Sequence, residues 1–402
     1  FWYRCAHGVM RRALPLGLAV VALLLVLGAP FLGVRWGFPD DRVLPQSASA
    51  HQVGDQLREQ FAANSDTAVT VVVPDSAGLS PEQVSGYAAD LSRVADVAAV
   101  SAPTGTYVAG SRTGAPSAPT AARDGSMYLT VATTAPLFSD ASETQLDRLH
   151  AVDGPGGRTV EFTGTAQTNR DSVNAITSTL PLVLGLIAVI MFGLLFLLTG
   201  SVVVPLKALV LNMLSLTAAF GALVWIFQDG HLGGLGTTHT GTLVANMPVL
   251  LFCIAFGLSM DYEVFLVARI REFWLRPGMS NDEAVALGIA HTGRVITAAA
   301  LIMSISFAAL IAASTSVMRM FGLGLTLAVL ADATLVRMVL VPAFMHVMGS
   351  ANWWAPRWLR RVHDRLGIDD EPATPFSQVP GTTEPTDPDP EVPEEKSERI
   401  IT

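Results

Sequence analysis

Charge is what this 402-residue chain has least of: Asp, Glu, Lys and Arg together make up 15% of it, against 50% apolar residues. Soluble domains carry about 25% charged residues, so the shortfall, with a positive mean hydropathy, excludes an ordinary soluble globule and points to a membrane. Cysteine is nearly absent. Cys5 and Cys253 lie at or within apolar segments, which excludes a disulfide framework and leaves the redox compartment open. Enzyme signatures are missing too. No phosphate-binding G-x-x-x-x-G-K-S/T, no H-E-x-x-H, no G-x-S-x-G and no C-x-x-C occurs, and the eight histidines are scattered. The chain is therefore expected not to be an enzyme and to need no cofactor or metal, with an ion gradient as its energy source.

The formal net charge of −9 is local. Residues 368–402 hold ten acidic side chains and two basic ones, so this tail contributes most of the excess, and nothing suggests a nucleic-acid partner. Rich in Pro, Glu, Asp and Thr and without periodicity, the tail is expected to be disordered.

Six stretches are long and apolar enough to cross a hydrocarbon core, near residues 13–34, 178–199, 203–227, 247–268, 294–315 and 320–347. The first exceeds the apolar run of a signal peptide and has no A-x-A site before Arg35, so it is expected to be retained. Arg4, Arg11 and Arg12 precede span one, Arg269, Arg271 and Arg276 follow span four, and Arg357, Arg360, Arg361 and Arg365 follow span six. Six spans put all three groups on one side, which the positive-inside rule makes cytoplasmic. The loop from Gln228 to Ala245, without Lys or Arg, falls outside.

The resulting plan is a cytoplasmic N-terminus and first span (1–34), an extracytoplasmic α+β domain (35–177), a five-helix transmembrane bundle (178–348), a basic juxtamembrane segment (349–367) and the acidic tail (368–402). Within 35–177 the pattern predicts strands at 67–73, 97–100, 127–133 and 159–163 and helices at 81–94 and 139–150. That β-α-β-β-α-β order is the one found in ferredoxin-like domains. The stretch from Gly105 to Gly125, rich in Ser, Pro, Thr and Gly, is expected to be irregular. Ser280 and Glu283 form a capping-box pattern, predicting a short interfacial helix over 281–291 before span five.

The chemistry concentrates in span four, where Asp261, Tyr262 and Glu263 interrupt an apolar run. A charged side chain at the bilayer centre costs about 2.5–3.5 kcal/mol on insertion scales and marks ion or proton pathways. Counting along the helix puts Asp261 roughly 21 Å from its outer end. It is expected to face a bundle or a wet cavity and to load and release a proton, with the Tyr262 hydroxyl orienting it. The alternative is a structural hydrogen bond. Glu263 is expected to pair with an arginine at the interface. Asp332 in span six is a second relay candidate or a structural acid. Arg337, five residues on and so about 140° away on an α-helix, is expected not to pair with it along the helix but to share a network with span four. Lys207 is expected to snorkel to the surface, and Asn212 to join the network or bond between helices. Gly185, Gly193, Gly221, Gly257, Gly322 and Gly324 predict close helix contacts.

With these residues in place, the chain resembles the C-terminal half of an MMPL-type transporter of the RND superfamily. The likeness rests on Phe256 to Leu266 (FGLSMDYEVFL), Arg269 to Glu272 (RIRE), Thr292 to Ala300 (TGRVITAAA), Phe321 to Gly324 (FGLG), Asp332 to Arg337 (DATLVR) and Trp353 to Pro356 (WWAP). The layout of one span, an outer domain and five spans also fits one half of such a transporter. The resemblance implies a proton-driven exporter of lipids or hydrophobic compounds in the cell membrane. It also implies that the pair at Asp261 and Tyr262 meets an equivalent pair from the other half. No second pair occurs in this chain, and its first residue is Phe1. The expected partners are therefore a hydrophobic substrate, membrane lipids, and either a missing N-terminal half or a second half-transporter. The rival reading is a sterol-sensing-like lipid binder or a protein-export accessory, which has no need of a titrating Asp261.

Overall fold

The structure is a computed structural model and describes residues 1–60 and 67–366. The expected disorder of 368–402 lies outside the described residues. Twelve α-helices run in chain order as α1 (Trp2–Arg11), α2 (Ala13–Gly28), α3 (Ser49–Gln60), α4 (Pro81–Leu91), α5 (Asp140–His150), α6 (Thr165–Thr199), α7 (Val203–Leu223), α8 (Asn246–Trp274), α9 (Asn281–Ala309), α10 (Ser316–Ala331), α11 (Val341–Met348) and α12 (Arg357–Leu366) among the described residues. A π-helical segment, Asp332–Leu340, joins α10 to α11 without a break. Six of the resulting helical stretches are long and apolar enough to cross a membrane: Ala13–Gly33, Thr165–Thr199, Val203–Gln228, Asn246–Trp274, Asn281–Ala312 and Ser316–Trp353.

Two of these helices are longer than the apolar count suggests. Span two is the second half of α6, a 35-residue helix that begins at Thr165, so the polar turns ahead of it are continuous with the membrane segment. Span five likewise begins at Asn281, with no separate interfacial helix. Ser280 caps it by accepting from the Glu283 N–H at 3.2 Å. No proline interrupts the run that follows, and one cap therefore serves the full length. The Glu283 carboxylate does not close the capping box; it accepts the Tyr3 hydroxyl at 2.9 Å instead, tying α1 to α9.

Between spans one and two lies an α+β region. Strands β1 (Trp36–Gly37), β2 (Val69–Val73), β3 (Val97–Ala102), β4 (Gly105–Val108), β5 (Ser111–Gly114), β6 (Ala121–Arg123), β7 (Ser126–Thr133) and β8 (Glu161–Thr163) precede a late β9 (Leu243–Val244). The main sheet runs β5-β4-β3-β7-β2-β8, and every pairing in it is antiparallel. Alternation places Val69, Val71 and Val73 on the buried face, against Leu91 of α4 and Leu146 and Leu149 of α5. Ser80 and Gln83 form a reciprocal capping box at α4.

The stretch from Gly105 to Gly125 is not irregular. It adds β4 and β5 to the sheet edge and β6 to the start of β7. Thr, Ser and Gly do not prevent pairing here because hydroxyls stitch the turns: Thr130 donates to the Pro119 carbonyl at 2.6 Å and Thr106 to the Ala115 carbonyl at 2.7 Å. β1 pairs in parallel with β9, fastening the chain after span one to the loop before α8.

Glycine decides where the spans approach most closely. A Cβ on Gly221 of α7 would sit 2.0 Å from the Leu27 carbonyl of α2, and Gly28 meets Thr217 in the same crossing. Gly322 and Gly324 are equally tight against Phe307 and Leu251. Gly185, Gly193 and Gly257 differ from expectation: a Cβ there meets nothing within 4 Å among the described residues, because these positions lie away from the helix crossings. Gly221→Ala is predicted to destabilise the bundle by about 1–3 kcal/mol, the usual cost of forcing volume into a packed contact. Gly185→Ala should leave stability unchanged or raise it slightly; thermal unfolding in mild detergent compares the two, and equal effects would contradict this packing.

After span one, Asp41 accepts from Arg58 of α3 at 2.8 and 2.6 Å. This bond from Arg58 holds the Asp41 carboxyl below the ordinary carboxylate range. Its stabilisation is complete above the unfolded chain's carboxylate pKa and is lost as pH falls through the depressed folded value. Asp41→Asn is therefore expected to lower the unfolding temperature at neutral pH and to flatten its decline under acid titration. An unchanged acid profile would show that the pair contributes nothing.

Candidate functional site

Arg337 is fully buried in the bundle, at 0% exposure. It sits in the π-helical segment, whose hydrogen bonds run from i to i+5. That wider turn brings residue 337 under residue 332, and Arg337 Nε donates to Asp332 Oδ2 at 2.8 Å. The separation expected of an α-helix is thus removed by the local change of helix type, and the two do pair along one helix. The guanidinium also reaches α8. Nη2 donates to the Ser259 carbonyl and, at 3.2 Å, to Ser259 Oγ, while Nη1 lies 3.8 Å from Glu263 Oε2. Its face lies 5.5 Å from the centre of the Tyr262 ring.

α7 supplies the other side. Val204, Lys207, Ala208, Leu211, Asn212 and Ser215 follow one another at three- and four-residue steps and are all buried. Lys207 stands on this stripe, 4% exposed, so it does not snorkel to the surface. Its helix face is turned to the bundle, and its Nζ has no hydrogen-bond partner among the described residues. Asn212 is buried too, and neither atom of its amide has a hydrogen-bond partner among the described residues, so the expected interhelical bond is not formed. It lines a small void with Ser259, Glu263 and Asp332. Two carboxylates, Asp332 and Glu263, thus face one guanidinium, Asp332 bonded to Arg337 at 2.8 Å and Glu263 3.8 Å from it. Partnering of this kind is what lets charges remain in a low-dielectric interior.

Asp261 is placed differently. It is exposed, on an outward stripe of α8 that runs Leu250, Cys253, Gly257, Asp261, Phe265. It makes no hydrogen bond or ion pair among the described residues. Expected to face a bundle or a wet cavity, Asp261 does not face the other described helices: the helix period turns it to the opposite side from Ser259 and Glu263. Tyr262 lies between the two environments. Its hydroxyl meets Met303 Sδ of α9 at 3.3 Å rather than either aspartate. Glu263 is buried at 5% exposure, deeper than the interfacial position expected. The structure therefore gathers Tyr262, Glu263 and Asp332 around Arg337 and leaves Asp261 apart on the open face. Ser259 and the burial of Lys207 were missed; the three- and four-residue stripe on α7 was the signal for the second.

Six membrane-length helices around a buried arginine and its acids define a multi-pass membrane protein. The family model described as "MMPL family" matches residues 42–367, and the chain belongs to that family. It is 36% identical over 391 residues to a Streptomyces coelicolor membrane protein, SCO6666, covering 94% of this chain and 50% of that protein. It is 33% identical over 370 residues to the trehalose monomycolate exporter MmpL3 of Mycolicibacterium smegmatis (92% of this chain, 36% of the relative). With the heme uptake protein MmpL11 of Mycobacterium tuberculosis it shares 35% identity over 381 residues (92% and 37%). The chain thus spans half or less of the length of these curated relatives.

Arg337→Met would strand two buried carboxylates and is predicted to cost roughly 3–5 kcal/mol of stability. Combining it with Asp332→Asn should recover part of that loss, because the uncompensated charge goes with its partner. Unfolding in mild detergent measures both; an Arg337→Met variant as stable as the parent would show that the cluster does not hold the bundle.

Proposed function

We propose that this chain forms half of a secondary transporter that exports lipids or hydrophobic compounds using the proton-motive force. The observation that carries the reading is Asp261, ionisable and exposed on the flank of a membrane helix. A lone carboxylate against lipid is costly, and the stripe around it holds Cys253 and Gly257, with open space beside Gly257. Small residues of this kind allow another helix to approach closely. A second half of like architecture, in the same polypeptide or another, closes this face and meets Asp261 and Tyr262 with its own groups.

In that setting the proton is taken up at Asp261 and Tyr262. Removing the negative charge of Asp261 alters the field at Tyr262 and at the guanidinium behind it. Asp332 takes part through Arg337, competing with Glu263 for the same cation. One charge crossing the field gains about 2.3 kcal/mol per 100 mV, enough to bias a conformational equilibrium. The continuous helix α6, which runs from the α+β region into the membrane segment, transmits the change outward.

The α+β region fits a ferredoxin-like, porter-like outer domain (35–177), since β8-β2-β7-β3 is the antiparallel order of that unit. The arginine groups favour a cytoplasmic location for both ends of the bundle and an extracytoplasmic one for this domain. Support for an apolar cargo comes from a pocket of about 150 Å³ between α6, α7 and α8, lined by Phe31, Trp36, Leu180, Met213, Phe220 and Phe252. The relatives' names give both export and uptake as directions. Export is preferred here because this pocket opens at the end of the spans beside the outer domain.

The test is Asp261→Asn in the whole transporter, reconstituted into vesicles with an imposed pH gradient and an entrapped pH dye. Downhill proton movement is expected to fall at least tenfold at equal incorporation, with Tyr262→Phe intermediate. Proton movement that survives Asp261→Asn would favour the lipid-binding module over the pump.

A further inference from the structure

The end of the chain beyond span six carries a surface that the transport reading leaves unused. α12 is ten residues long, with sequence RWLRRVHDRL, and its two faces are cleanly separated. Trp358 and Val362 are one helical turn apart on α12 and exposed, at 65% and 39%, and Trp354, in extended backbone just ahead of the helix, is 56% exposed. Arg357, Arg361 and Arg365 form a parallel row beside them, also exposed, and Asp364 is the one acid in the helix.

The helix is held in place. His363 Nε2 lies 3.0 Å from Arg271 Nη2 at the end of α8, and its ring packs edge-on against Phe196 of α6. Gly200, at φ +67°, leaves room for that ring, since a Cβ there would sit 2.9 Å from it. The indole row is thus fixed immediately beyond the end of span six.

We infer that α12 with Trp354 is a membrane-surface helix that binds anionic phospholipid headgroups. Indoles favour the headgroup level, and a basic helix with an apolar face lies in that plane. Charge selects the occupant. A second copy of this helix would set four arginines against four, whereas an anionic leaflet complements them, with a gain of about fivefold in binding for each arginine near the surface. The inference needs only that the chain spans a bilayer and is independent of proton coupling.

The full chain in nanodiscs tests it, with phosphatidylcholine as the bulk lipid and spin-labelled phosphatidylglycerol or spin-labelled phosphatidylcholine as quenchers of tryptophan fluorescence. Phosphatidylglycerol is expected to quench in excess of phosphatidylcholine, and W354F/W358F should abolish that excess. R357Q/R361Q/R365Q should lose the excess at phosphatidylglycerol fractions that saturate the parent, since about fivefold in binding goes with each arginine, while R357K/R361K/R365K keeps it. Equal quenching by the two lipids, or an excess untouched by the glutamine variant, overturns the proposal. So does shielding of the two indoles that grows with protein concentration, which would place a second copy there.

Discussion

A guanidinium with no exposure inside a membrane bundle has to be answered by the chain around it, and much of the bundle is arranged to do so. Arg337 takes its acceptors from two helices at once: Asp332 on its own segment and the Ser259 backbone and hydroxyl on α8. Glu263 lies close behind, 3.8 Å from the guanidinium. Each partner fixes something else. The bond to Asp332 goes with a π-helical turn in span six, and the bonds to Ser259 set the rotation of α8 about its own axis.

That rotation determines where Asp261 points. With Ser259 and Glu263 turned inward, the residue between them is carried to the outer flank, and the phenol of Tyr262 is left at the boundary. One acid of the chain's membrane-embedded set is therefore bound to an arginine and another is open. In the proposed transporter the bound acids keep the helices in register and the open one exchanges protons against a second surface.

The six spans were legible from the length of their apolar runs, and β2, β3, β7, α4 and α5 from local sequence and period-two alternation. Asp261 and Tyr262 were legible as an anomaly in an apolar run. The pairing of Asp332 with Arg337 was not, since it depends on a change from α- to π-helix that no residue pattern announces. Lys207 was misplaced because a position near a span's end argues for snorkelling, while the inward face of α7 overrides it. Strands within Gly105 to Gly125 were hidden by a turn-like composition whose hydroxyls complete the sheet's turns. The outward direction of Asp261 needed the rotation of α8, which its packed face and the contacts of Arg337 supply.

The central claim of the proposed transporter is that the proton is carried at Asp261 on the open face and not at Asp332 beside Arg337. Infrared difference spectra of the whole transporter between acidic and alkaline pH, with isotopically labelled aspartate, read carboxyl protonation directly. The account predicts an aspartic acid carbonyl band that appears on acidification, disappears in Asp261→Asn and survives in Asp332→Asn. A band lost in Asp332→Asn but retained in Asp261→Asn would contradict it.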